Sequence, residues 1–301
     1  MNRRSFVKNT GLGFGALPLL RYDWLKEFMQ ENPYKMKMLR NDVGIFTEKG
    51  GTIGYYISKK NIAVVDAEFP EQSKHLIDAL KKEQDKPFEI LINTHHHGDH
   101  TAGNISFKGM VHHVAAHQNS LLNQVRAAKE QNKEAEQLYP DITYGDTWEY
   151  RKMKENIKTY YYGPAHTNGD SIIFFPHANI AHVGDLVFNR RWAFIDRKSG
   201  ASLKNWIVVL DKIQKEFDND TLFIFGHAYD PEKVTGNKAD IKAMQDYLQN
   251  LSAFVYSQIK AGKTKAEILK ATSIPGVTEW QGDGIERGLE AAYDEEIQGI
   301  I

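Results

Sequence analysis

HHHGDH, residues 95–100, decides how this chain is read. It gathers His95, His97, Asp99 and His100 at the end of the apolar run FEILIN, 88–93. In an ordinary loop these groups would repel one another or leave hydrogen-bonding capacity unused. Around a divalent metal they become ligands, and imidazole with carboxylate suits zinc best among the common metals. In extended backbone, alternate residues share a side, so His95 and His97 can reach one ion while His96 points away. Asp99 and His100 follow where the chain turns, and can face a second ion.

Four other segments stand in order around this one: NIAVVDAEF (61–69), GPAHTNGD (163–170), IAHVGDLVF (180–188) and LFIFGHAYD (222–230). His-x-His-x-Asp-His after a buried strand, with these companions, resembles the metallo-β-lactamase-fold hydrolases over roughly residues 40–230. The resemblance implies an α+β fold, a four-layer αββα sandwich, with residues 36–235 as the domain. It implies His95, His97 and His166 on a first metal, and Asp99, His100 and His227 on a second. Asp185 would bridge the two. Two zinc ions, with iron or manganese as alternatives, would hold a bridging hydroxide as nucleophile, and Asp99 would shuttle its proton. Asp66 would accept the free ring N–H of a ligating histidine rather than touch metal.

The 301 residues carry a formal charge of −1 and no cysteine. Near-neutrality gives no sign of nucleic-acid binding. Without cysteine there are no disulfides, no thiolate metal ligands and no thiol nucleophile. The lactamase subclass with a cysteine on its second metal is thereby excluded. The start, MNRRSFVKNTGLGFGALPLL, resembles a twin-arginine export signal, so residues 1–30 read as leader and linker and the expected location is the periplasm. The alternative is a plain basic start. No membrane span is expected in the mature chain.

TIGYYIS (52–58) and NIAVVDAEF read as neighbouring strands, and EQSKHLIDALKKEQ (71–84) as an amphipathic helix. VHHVAA (111–116) is a short strand. IKTYYYG (157–163), SIIFF (171–175) and IAHV (180–183) read as an antiparallel meander, and WIVVLDKIQKEF (206–217) as a helix before LFIFG. Residues 119–138 are polar and helix-prone: a cap over the site, or a solvated surface helix. Residues 236–301, with helical runs at 244–262 and 284–297, form a C-terminal helical extension packed on the same domain.

His75, His112, His113, His177 and His182 take ordinary structural roles, while His117 follows a strand and can approach the pocket. Phe188, Asn189, Arg190, Arg191, Trp192 and Phe194 form a basic, aromatic loop beside the pocket. Arg190, Arg191 and Trp192 are candidates to bind an anionic, partly apolar substrate; a solvated turn is the alternative. Within the resembled family, Phe188 stands where quorum-quenching lactonases carry tyrosine. Lys233, Lys238 and Lys242 match only loosely the basic cluster of glutathione-thioester hydrolases. Asp185 argues against a dedicated β-lactamase. The expected activity is hydrolysis of a small ester, thioester, lactone or lactam. The alternatives are a mononuclear iron sulfur dioxygenase using His95, His166 and Asp185, and a non-catalytic metal-binding protein of the envelope.

Overall fold

A computed structural model describes residues 33–298; the leader-like segment lies outside them. Two sheets lie at the centre. The first has seven strands in chain order: β1 Lys35–Arg40, β2 Val43–Thr47, β3 Ile53–Ile57, β4 Ile62–Val65, β5 Phe88–Asn93, β6 Val111–His117 and β7 Ile142–Tyr144. The first four pair antiparallel, and β4 to β7 run parallel. The second sheet comprises β8 Thr147–Tyr150, β9 Ile157–Tyr160, β10 Ile172–Phe175, β11 Ile180–Asn189, β12 Leu222–Ala228 and β13 Thr235–Gly236. Its β9–β11 portion is the antiparallel meander expected from sequence, and β8 adds a further antiparallel strand at its edge. Strands β11 and β12 are parallel, joined through the helix Leu203–Glu216.

The pleat explains the layering. Ala63, Val65, Ile90 and Ile92 point inward to meet Ile173, Phe175, Ile180 and Ile224 of the other sheet. The alternate residues Ile62, Val64 and Leu91 point outward, onto Leu76, Ile77 and Leu80 of helix α1, Pro70–Glu83. Strands covered on both faces read as continuous apolar runs, which is why FEILIN and NIAVV stand out in the sequence. On the far side, Ile172, Phe223 and Phe225 pack under Trp206, Leu210 and Met244. Three apolar seams between four layers make the αββα sandwich.

Helix α2, Gly98–Thr101, is one turn inside the metal motif. Helix α3, Gln118–Glu130, fills the polar insertion, and α4 is Leu203–Glu216, started by Ser202, whose hydroxyl accepts from the Asn205 amide. The C-terminal region holds α5 Lys238–Lys260, α6 Lys265–Ile268 and α7 Ile285–Gln298. Met244, Leu248, Leu251 and Leu289 bury this region against the second sheet and α4. Helix α5 starts earlier than its apolar run, because Asn237 and Asp240 form a reciprocal cap.

Candidate metal centre

The metal motif begins where β5 ends, beside the end of parallel β4. The second sheet brings its own strand ends to the same place: Phe188 of β11 pairs with His227 of β12. Asp66 sits just past β4 with φ +64°, a conformation costly for a residue with a side chain. That bend turns its carboxylate under the motif. One oxygen accepts from the Thr94 amide at 2.7 Å. The other accepts from the Thr94 hydroxyl at 2.7 Å and from His100 Nδ1–H at 2.8 Å.

Ring partners fix the tautomers. His166 Nδ1–H donates to the Phe194 carbonyl at 2.7 Å, and His97 Nε2–H donates to Asp196 Oδ2 at 3.0 Å. The Thr94 hydroxyl spends its hydrogen on Asp66, so at 3.1 Å it accepts from His95 Nδ1–H. Each neutral ring has one N–H, so the opposite nitrogens present lone pairs. Those nitrogens face each other: His97 Nδ1 lies 2.9 Å from His166 Nε2 and 3.1 Å from His95 Nε2. Lone pairs at that separation repel unless a cation lies among them. His100 repeats the pattern, its free Nε2 lying 3.4 Å from His227 Nε2.

Asp185 lies between the groups. Its Oδ2 is 3.4 Å from His166 Nε2 and 3.9 Å from His95 Nε2, while Oδ1 is 3.1 Å from His100 Nε2. Oδ1 is buried and, while the His100 ring is neutral with its hydrogen on Nδ1, receives no hydrogen bond, an arrangement costly for a carboxylate unless a proton on His100 or a cation answers it. Asp99 Oδ2 lies 3.0 Å from His227 Nε2. The donor atoms gather as His95, His97, His166 and Asp185 in one set, and Asp99, His100 and His227 in another. All seven residues named from sequence therefore converge, and their chemistry fits two divalent cations. Gly226 makes room for this: a Cβ there would come within 1.9 Å of Asp185 Oδ1.

Burial opposes charge here, and neighbouring groups decide the outcome. Desolvation, reinforced by His100, holds the His95 imidazolium well below its ordinary range. Burial pushes His100 the same way, but Asp185, Asp99 and Asp66 outweigh it and hold the metal-free ring well above that range. Burial would raise Asp185, yet His227 and His100 keep it ionised. A bound cation replaces the proton on such a ring, since only neutral imidazole ligates.

Outside the ligand set several expectations change. Arg190 does not reach the metal cavity. It takes φ +58°, and its guanidinium meets Glu279 at 2.6 Å and lies over Trp280 at 5.2 Å. The chain reverses at that residue, so the neighbours Arg190 and Arg191 diverge. Arg191 and Trp192 do line the metal cavity, which has a volume of about 340 Å³. The polar insertion is not a cap, for none of its residues lines that cavity. Helix α3 instead braces the site from behind. Asn119 and Asn123 donate to Asn168 at 2.8 Å, and Arg126 donates to Ser199 Oγ at 2.7 Å. His117 stays away from the pocket: it caps α3 by accepting from the Asn119 amide and stacks on Tyr161 at 3.9 Å. His96 points away from the seven ligands, as expected, but it is not bland. Its Nε2–H donates to Ser199 Oγ at 3.1 Å, next to Asp196.

Sequence reading missed Asp196, Thr94, Ser199 and Arg287. Thr94 abuts the motif and had a spacing signal. Asp196 and Arg287, the latter also on the cavity wall, had none.

Comparison with known proteins agrees. Residues 49–227 match the profile described as Metallo-beta-lactamase superfamily. The chain belongs to that superfamily. It is 26% identical over 210 residues to Metallo-beta-lactamase IND-1 of Chryseobacterium indologenes, covering 67% of this chain and 83% of that protein. It is 26% identical over 197 residues to a probable hydroxyacylglutathione hydrolase of Schizosaccharomyces pombe, covering 64% of this chain and 65% of the relative. Among solved structures, a metallo-beta-lactamase from Pontibacter korlensis superposes with TM-score 0.59 at 18% identity, over 72% of this chain and 99% of that one. A double mutant of the sec-alkyl sulfatase PisA1 gives TM-score 0.69 at 12% identity, over 88% of this chain and 50% of that one. At these identities the two structures speak to the fold alone. The chain is a metal-dependent hydrolase of the superfamily. Among the described residues, no helix is long and apolar enough to cross a membrane.

Proposed function

We propose that this superfamily hydrolase is a two-zinc enzyme acting on a small carbonyl substrate, an ester, thioester or lactone ahead of a β-lactam. The observation that carries the reading is the convergence of imidazole lone pairs in two groups, with the ionised Asp185 between them. His95, His97 and His166 would hold one ion; Asp99, His100 and His227 the other; Asp185 would join both. Bound there, the ions would supply a water acidified toward neutral pH and polarise the scissile carbonyl. The chain's part is position and proton traffic. Asp66 fixes His100 directly and His95 through Thr94, so one carboxylate orients a ligand in each group. Asp99 borders the cavity and engages His227 through Oδ2. Its other oxygen would take a proton from the attacking water and return it to the leaving group.

Several features favour a carbonyl substrate other than a β-lactam. The chain has no cysteine, and Asp185 would stand between the two ions. One named relative is a hydroxyacylglutathione hydrolase, although others are metallo-β-lactamases. The test is turnover of a small panel of esters, thioesters, lactones and a cephalosporin. Hydrolysis of the first three should vanish on chelation and return with zinc or manganese. Efficient cephalosporin turnover with no ester or lactone activity would overturn the substrate order. Chelator-resistant hydrolysis would remove metal from the reaction.

A further inference from the structure

We propose that Arg191 and Arg287 form an anion clamp on the wall of the metal cavity. The preferred substrate would then carry a carboxylate, or a similar anion, at one end of a partly apolar body. What happens at the other end rests on the hydrolase reading above; the clamp itself does not.

Elsewhere in the described chain, arginines are engaged. Arg40, Arg126, Arg151, Arg190 and Arg197 each donate to an oxygen partner. The side chains of Arg191 and Arg287 make neither a hydrogen bond nor an ion pair with any described residue. Both border the same cavity, the one floored by Asp185 and His227. The carboxylates lining that cavity are Asp99 and Asp185, both committed to the ligand set. With divalent cations held there, two negative charges face a larger positive charge, and an entering anion meets no uncommitted carboxylate.

The rest of the geometry gives the clamp a length. The Arg287 guanidinium lies over the Phe194 ring at 5.8 Å. That ring is 5.4 Å from His97 and 6.0 Å from His166. One aromatic ring thus separates the guanidinium from the first ligand group. Phe188, Trp192 and Phe194 line the space between, a fitting surface for an apolar spacer. Both arginines are held in place without having their charge neutralised. Arg191 lies in a loop bridged to Gln281, whose amide donates to the Arg190 carbonyl at 3.0 Å. Gly284 leaves space for the other, since a Cβ there would come within 2.7 Å of Arg287 Nη2. Arg287 belongs to α7, beyond the matched span 49–227. The C-terminal region would therefore choose substrates for a centre built by the rest of the chain.

The probes are 4-acetoxybenzoate and its methyl ester, whose carboxyl group and scissile acetate stand one benzene ring apart. A third is 4-acetamidobenzoate, which keeps the carboxylate and resists cleavage. The zinc-loaded wild type should prefer the anionic ester in kcat/KM. Arg191→Ala and Arg287→Ala should each lower that preference about 5- to 10-fold, chiefly through KM. Lysine at either place should restore part of it, and Arg151→Ala should leave it unchanged. Binding of 4-acetamidobenzoate, measured by calorimetry, should weaken by a similar factor in each alanine variant. The proposal is overturned if both esters suffer equally, if the amide binds with equal affinity without the arginines, or if it does not bind at all. Should neither ester be cleaved while amide binding still depends on both arginines, the hydrolase reading fails and the clamp stands.

Discussion

The floor and the wall of the metal cavity are built on opposite plans. On the floor, ring after ring is held from behind: His100 by Asp66, His95 by Thr94, His97 by Asp196, His166 by the Phe194 carbonyl. The wall offers aromatic surface and two arginines that no described residue neutralises. A ligand cage gains from rigidity, because lone pairs must converge within tenths of an ångström. A recognition surface gains from groups left unsatisfied until substrate arrives. The difference suggests that reactivity and selectivity can be altered separately here.

Substitutions on the floor should sort by how directly each residue serves the cations. The largest effect belongs to Asp185→Ala, which removes the carboxylate shared by both groups. Activity should fall by about a thousandfold or more, and elemental analysis should show the second ion chiefly lost. Full metal content with near-normal turnover would break the floor account at its centre. Asp66→Ala comes next, with metal affinity or activity lowered about 10- to 100-fold while the far-ultraviolet circular dichroism stays native. Because Asp66 orients a ligand in each group, both ions should loosen together; selective loss of one would show that the Thr94 relay to His95 carries little. Asp196→Ala should act more locally. It frees the His97 tautomer alone, so zinc titration should show the first ion weakened by about tenfold and the second retained. Equal weakening of both would mean that Asp196 supports the loop rather than one ring.

The same contrast explains what the sequence could reveal. All seven floor ligands sit in short motifs in or near the strands that meet at the site, and β5, β11 and β12 are visible because they are largely buried. The meander was legible from its β-branched and aromatic runs, and α1 from the helical spacing of Leu76, Ile77 and Leu80. The sheet edges β1, β7 and β8 were not, since half-exposed strands alternate too weakly over so few residues. Arg190 shows a subtler limit. It neighbours Arg191, and nothing local announces that a left-handed backbone turn sends their side chains apart. Asp196 lies 99 positions from His97, and Arg287 reaches the cavity only through the packing of α7 on the second sheet. Contacts of that range leave no periodicity to read. The insertion at 119–138 was legible as a helix but not as a brace, because its polar face looks the same whether it meets water or Asn168.

The central claim is that seven side chains hold two divalent cations around Asp185. Elemental analysis of protein purified without added metal, wild type beside His100→Ala, tests it most directly. The account predicts about two divalent ions per wild-type chain, zinc foremost, and about one in the variant. A single reproducible iron in both proteins would contradict it and point to His95, His166 and Asp185 as a mononuclear site.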